Sequence, residues 1–527
     1  MPSGDPLPGG QCHLNSKSPL VRIGYGQGGI CLPRRMPIFY SAMLLTGVNL
    51  LLRLVSTSFQ VYISGRIGAS GVGLLQLVLS VGMLAMTAGM AGIRTATMYL
   101  TAEERGRRQP ENYGSVLSGC FIYSILCSGA VAAALYFFAP VIADRWIGDI
   151  RTMAAVRTLA AFLPVSCLCG VMIGYFTGIN RIGTLAGVEM AEQLISMVTT
   201  MLVLTLWAGE DAGKACQSIV LGSGLGSCFT VLCLLILKGN QRSNGVRIPV
   251  KSRLLRVAFP LALADDLKSG ISTTENLMVP KRLALFPGAE NPLALFGTVC
   301  GMVFPVLMFP AAILFGLAEL LIPELARCVA ACSENRIKYL VRRSLKVAFL
   351  YGCFFGGLMY LLAMPLCEKL YHSESAGEQL RIYAILCPML YCDAITDAMT
   401  KGLGQQTACV RYNIFTSAMD VALLYCLLPR YGMSGYFLSF LITHLLNFIL
   451  SLRRLIRITK ITLHWSVPVR CVLSLVLACL FAGIAVNPVL QTVAFVIIFV
   501  VSLFLLGVLR REDVFWLKGL IKGTKTH

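Results

Sequence analysis

The chain has 527 residues, 56% hydrophobic and only 13% charged, with a mean hydropathy of +0.74. Soluble proteins carry about 25% charged residues, so this composition excludes a soluble globular chain and points to an all-α polytopic membrane protein. The net charge of +20 is no sign of nucleic-acid binding, because the basic residues stand in short loops between apolar runs, where membrane topology places them.

Residues 1–36 are rich in Gly and Pro and lack an apolar signal core. They read as a disordered cytoplasmic tail, with Met36 as an alternative start. A window of about 19 residues then finds about fourteen apolar spans. They run roughly over 38–62, 72–100, 114–138, 153–178, 183–208, 214–237, 255–280, 293–322, 343–364, 380–402, 408–429, 432–452, 465–486 and 489–509. With the N-terminus inside, thirty-one Lys and Arg fall in inner segments and nine in outer loops. That asymmetry predicts that both termini are cytoplasmic.

The longest inner linker, 238–253, follows the sixth span. It divides the chain into a first lobe of six helices over 37–237 and a second over 254–456. Two further spans occupy 457–510, and a cytoplasmic tail follows over 511–527. The twenty cysteines lie mostly inside apolar spans without a CxxC pair, which suits reduced packing residues. Gly170, Gly174 and Gly178, and likewise Gly222 and Gly226, recur every fourth residue. That spacing predicts close helix approach.

The stretch "PLALADDLKSGISTTENLMVPKR" (260–282) is membrane-length yet carries Asp265, Asp266, Lys268 and Glu275. Asp265, Lys268, Ser272 and Glu275 fall on one side of a helix, a ribbon about 15 Å long at 1.5 Å per residue. A charge at mid-bilayer costs at least about 2.5–3.5 kcal/mol, so the ribbon belongs against a watered cavity. Similar ribbons are Arg53, Thr57, Gln60 and Ser64 in the first span; Glu189, Glu192, Ser196 and Thr200 in the fifth; and Asp393, Asp397 and Thr400 in the tenth. Arg94 lies deep in the second span. Converging polar ribbons imply a transporter. The structural alternative is ion pairs that only fix packing, and it is preferred for Arg157, Asp420 and His444, which stand alone. No phosphate-binding GxxxxGK[ST] loop occurs ("GEDAGK" at 209–214 is a residue short), nor GxSxG, HExxH or a zinc spacing. The chain is therefore expected to be no enzyme and to hold no cofactor beyond a coupling ion.

Two long words carry a resemblance. "RLVSTSFQVYISGRIGASGVGLLQLVLSVGMLAMTAGMAGIRTATMYLTAEE" (53–104) resembles the first two helices of the stage V sporulation protein B group. "ENLMVPKRLALF", followed by "ALFGTVCGMVFPVLMFPAAILFGLAELLIPELARC", looks like its seventh and eighth. The group is part of the multidrug/oligosaccharidyl-lipid/polysaccharide exporter superfamily. The resemblance implies two six-helix lobes around a cavity with alternating access. It further implies transfer of undecaprenyl-diphosphate-linked saccharides from inner to outer leaflet, in the service of cell-wall, cortex or polysaccharide synthesis. By resemblance, Arg53 and Arg94 would hold the diphosphate, joined from the residue reading by Lys268 and Gln60. Asp265, Glu275, Glu189, Glu192, Asp393 and Asp397 are the candidates for ion coupling or cavity lining. The alternative is a Na⁺- or H⁺-coupled drug or metabolite antiporter on the same fold. A monomer in the bacterial cell membrane is expected, driven by a coupling ion or the membrane potential, with the lipid-linked saccharide and the bilayer as its partners and no nucleic acid.

Overall fold

The computed structural model describes residues 38–107, 112–209, 211–238, 250–462, 466–484 and 487–509. The expected N-terminal tail, most of the 238–253 linker and nearly all of the C-terminal tail lie outside the described residues. The described chain is helical throughout. Hydrocarbon offers backbone groups no partner, so each segment must satisfy its own.

The first half comprises α1 (Ile38–Met90), α2 (Ile93–Gly106), α3 (Tyr113–Val141), α4 (Met153–Gly178), α5 (Ile182–Val203) and α6 (Ala212–Lys238). The second comprises α7 (Val250–Leu283), α8 (Pro292–Gly297), α9 (Phe304–Met308), α10 (Ala311–Ala330), α11 (Glu334–Tyr371) and α12 (Glu374–Ala384). It continues through α13 (Cys387–Gly402), α14 (Gln406–Thr459), α15 (Ser466–Ala482) and α16 (Pro488–Leu505). Among the described residues, eight helices are long and apolar enough to cross a membrane, or up to ten if each bent pair counts as one span. Helix α7 is absent from that set because of the charges between Asp265 and Glu275.

Several expected boundaries are corrected. The first two spans are not separated by a loop: α1 runs 53 residues through a kink at Gly68, where φ is 67°. Spans eleven and twelve likewise form one helix, α14, kinked at Gly432 with φ 55°. Only glycine takes that backbone without strain. Three expected single spans are broken instead. The 72–100 span breaks at Ala91 and Gly92, both at positive φ. The 293–322 span bends by 62° between Met308 and Ala311, and the 380–402 span by 59° between Ala384 and Cys387. At the 62° break the freed carbonyls are capped by tyrosines. Tyr391 Oη donates to Leu307 O at 2.7 Å, and Tyr351 Oη to Pro310 O at 2.8 Å. An uncapped carbonyl there would cost several kcal/mol in hydrocarbon. Helix α7 begins at Val250, so the end of the expected linker is already helical; the run from Val250 to Arg256 contains no breaker.

In the first half α4 packs against α2, α3 and α6, and α5 against α6. The glycine stripes do what their spacing predicts. A Cβ at Gly174 would stand 2.3 Å from Arg94 O on α2, and one at Gly222 2.0 Å from Thr200 Oγ1 on α5. In the second half α13 packs between α10, α11 and α14, and α14 lies along α7. Helices α15 and α16 pair with each other and lean on α11 through Cys353, Phe495 and Phe499. Helix α7 also touches α2 and α3, so it joins the two halves.

Candidate functional site

Polar side chains gather in the second half, where α7, α13 and α14 meet. Glu275 on α7 is half-buried and stands within hydrogen-bonding reach of Asp420 on α14. Asp420 is buried, and its Oδ1 accepts from Ser439 Oγ at 2.6 Å and Thr443 Oγ1 at 3.2 Å. Ser439, Thr443 and Asn447 recur every fourth residue along α14, so they share a stripe. Asn447 Nδ2 donates to both carboxylate oxygens of Asp393 on α13, at 3.1 Å each. His444 Nδ1 approaches Asp393 Oδ2 at 3.9 Å, and its ring lies 4.1 Å from that of Phe440. Cys300 Sγ and Tyr436 Oη, 3.6 Å apart, lie near enough to feel the charge of Glu275.

The pairing of two carboxyls defines what this pocket can do. Two negative charges in contact in a low-dielectric interior cannot both persist without a proton or cation between them. The groups around them are hydroxyls and an amide, which add ligand oxygens rather than a neutralising charge. Among the described residues no three His, Cys, Asp or Glu side chains converge as a metal site. The set fits a proton or a weakly held monovalent cation better than a tightly bound divalent one.

A second acidic cluster lies in the first half. Glu192 on α5 accepts from Thr230 Oγ1 at 2.7 Å and Ser227 Oγ at 3.5 Å, both on α6. Glu189, one turn earlier on α5, is near enough to feel the charges of Arg94 and Glu192. Arg94 is exposed on α2.

The remaining expected residues are spread over the helices. Arg53 is exposed on α1, its guanidinium 5.8 Å from the Phe315 ring on α10. Gln60 donates to Gly301 O at 3.2 Å, so it joins two helices. Asp265 and Lys268 are exposed along α7. Asp397 is held by Lys401 at 2.6 Å. Among the described residues Arg53, Arg94 and Lys268 form no ion pair. A cavity of about 500 Å³ with an almost wholly apolar lining opens along α1 from Leu54, the residue after Arg53; Arg53 itself does not line it. Leu54, Thr57 and Ser58 of α1 face Phe309, Phe355 and Leu358 across it. Asp420, Ser439, Thr443 and Asn447 were not singled out as functional from sequence. The four-residue repeat of the last three was readable there, but its partners lie on other helices.

The fold is that of a multi-pass membrane protein. Residues 46–206 match the MatE family model. Lipid II flippase MurJ in an inward closed conformation superposes with a TM-score of 0.66 at 11% identity, over 87% of this chain and 98% of that one. An inward-facing multidrug resistance MATE family transporter of the MOP superfamily superposes with a TM-score of 0.62 at 16% identity, over 79% of this chain and 100% of that one.

In sequence the chain is similar to Stage V sporulation protein B of Bacillus subtilis (strain 168), 20% identical over 74% of this chain and 77% of that protein. It is also similar to sporulation protein YkvU of the same organism, 21% identical over 69% and 82%. In fold and in sequence it is therefore similar to multi-pass membrane proteins of the MOP superfamily.

Proposed function

We propose that this chain is an alternating-access flippase that carries a diphosphate-linked saccharide lipid, of the undecaprenyl type, from the inner to the outer leaflet. The observation that carries the reading is Arg53, a cation without an ionic partner among the described residues, one residue before the stretch of α1 that lines an apolar cavity of about 500 Å³. A cation next to an apolar groove matches a lipid phosphate next to its chain. Arg94 and Lys268 supply further positive charge on α2 and α7, and Gln60 a fixed amide.

The crossing count follows from length. At 1.5 Å per residue α1 and α14 are each about 80 Å long, against about 30 Å of hydrocarbon. Each therefore supplies two crossings, meeting at Gly68 and Gly432. With α7 and the short α15 added, the chain makes fourteen crossings in two lobes of six plus two, with both termini cytoplasmic. The ends bearing Gly68, Trp146 and Lys281 then face outward. Glu275 and Asp420 take the coupling proton or Na⁺, and Glu189 and Glu192 form a subsidiary acidic site.

The test is native mass spectrometry of the detergent-purified protein with an undecaprenyl-diphosphate saccharide, wild type beside Arg53→Ala. Tight binding that the variant loses supports the reading. Equal binding by both removes Arg53 from the site. A second reading, a cation-coupled drug or metabolite antiporter, draws on the Glu275–Asp420 pair. It is favoured if the folded protein binds no prenyl diphosphate and shows Na⁺- or H⁺-dependent efflux.

A further inference from the structure

Two cavities meet on the face formed by α1, α3 and α7, away from the cavity that opens from Leu54. The first, about 460 Å³, is lined by Thr273, Thr274 and Met278 of α7 and closed at its end by Lys281 and Arg282. The second, about 290 Å³, is almost wholly apolar and runs between Ala85 and Ala88 of α1 and Val131, Ala134 and Phe138 of α3. Leu84 and Trp146 line both, so the two are continuous at that point.

The charges at the mouth are available. Lys281 Nζ donates to Arg145 O, which leaves its other protons unused. The Arg282 guanidinium lies 3.2 Å from the centre of the Tyr425 ring. Stacking of this kind occupies the face of the fork and leaves its N–H edge open. Neither cation has a carboxylate partner among the described residues. Trp146 is 44% exposed between them and the apolar groove, the position tryptophan takes at a membrane interface.

The dimensions also fit. From Arg282 back to Gly270 is about 18 Å of helix, and from Val141 to Val131 about 15 Å, at 1.5 Å per residue. Half a bilayer's hydrocarbon is about 15 Å. A basic mouth with an apolar groove one leaflet deep has the shape of a single lipid.

We infer that this is a second lipid site, holding the phosphate headgroup of the transported lipid at Lys281 and Arg282, with its hydrocarbon chain between α1 and α3. The inference rests on the flippase reading above. It adds a station in the leaflet that the lipid reaches after crossing, on a different lateral face from the cavity that opens from Leu54. Trp146 would face the first sugar or the diphosphate, and Leu84 would set the width of the passage between head and chain.

The test is photo-crosslinking in phosphatidylcholine nanodiscs from a benzoylphenylalanine placed at Phe138, which is exposed on the groove. The probes are an undecaprenyl-diphosphate saccharide and, separately, phosphatidylglycerol. Capture of the prenyl probe is expected to fall at least fivefold in Lys281→Gln/Arg282→Gln. It should fall similarly in Leu84→Trp, which plugs the join with the charges intact. Capture that neither variant reduces overturns the inference. So does equal, charge-dependent capture of phosphatidylglycerol, which would make this a general anionic-lipid site. Binding that Arg53→Ala abolishes, without crosslinking at position 138, removes this site alone. Absence of prenyl-diphosphate binding anywhere removes the flippase reading and this site with it.

Discussion

On the alternating-access reading, Gly297→Ala should hold the protein open at the end of the bundle that carries the Gly68 kink. Helices α1 and α8 touch there through glycine. A Cβ on Gly297 would stand 2.0 Å from Ala69 O and 2.5 Å from Gly73 N, where ordinary contact begins at 3.4 Å. The obstacle is backbone, which no side-chain rotation relieves, so the helices must separate by about 1.4 Å. A Cβ on Gly73 would meet Leu293 O at 2.2 Å across the same contact, so α1 is pinned on both sides of it. Overpacking of this kind costs about 1–3 kcal/mol, and every 1.4 kcal/mol is about tenfold in population. The closed state should lose about 5- to 150-fold against a state open at this end. The assay is electron–electron distance measurement between genetically encoded spin labels at positions 70 and 291, alongside transport in proteoliposomes. A longer, broader distance distribution with transport lost is the expected result. An unchanged distribution with full transport would refute the idea that this contact forms and breaks in the cycle.

Two further outcomes follow from the charged groups. Asp420→Asn keeps the hydrogen bonds to Ser439 and Thr443 within reach but removes one of the two facing carboxyls. It should abolish the Na⁺ or pH dependence of transport while leaving prenyl-diphosphate binding within about twofold; both are read in the same proteoliposomes, and a variant that remains fully ion-dependent would take the pair out of coupling. Arg253→Ala strips Glu104, which is wholly buried, of its 3.0 Å guanidinium partner, leaving it the Asn112 amide at 2.9 Å among the described residues, and leaves Glu103 the Arg107 guanidinium. Breaking a buried pair on one side costs about 3–5 kcal/mol, so a clear drop in the thermal midpoint in detergent is expected, largely restored by adding Glu104→Gln.

Much of this was legible in the sequence, for reasons that particular residues make plain. The ribbon on α7 could be read from its period alone: Asp265, Lys268 and Ser272 are all exposed on one side. Its partner at Asp420 could not be, because the pairing depends on how α14 lies along α7, and no local pattern encodes that. The breaks were hidden for a different reason. Averaging hydropathy over 19 residues passes smoothly across Phe309 and Pro310, so a 62° bend looks like one apolar run. The kinks at Gly68 and Gly432 escaped as well, since glycine is common in membrane helices and only the backbone angle distinguishes these two.

The partners of the embedded acids separate coupling from packing. A purely structural acid in a membrane should be matched with a cation, since an unpaired buried charge is costly. Glu103 and Glu104 with Arg253, and Asp397 with Lys401, are matched in that way. Among the described residues Asp420 and Glu192 are not, and Asp393 has only the His444 ring, 3.9 Å away. Their hydrogen-bond donors are Ser439, Thr443, Asn447, Ser227 and Thr230, all neutral. Neutral donors orient a carboxylate without cancelling its charge, so each of these acids still calls for a mobile proton or cation. The embedded bases show the complementary pattern, with Arg53, Arg94 and Lys268 lacking acidic partners within ion-pair distance among the described residues. Arg94 on α2 forms no ion pair with Glu189 on α5, although its charge reaches that carboxyl. On the flippase reading, bases without acidic partners are open to an anionic cargo, and acids without cationic partners to the ion that drives it.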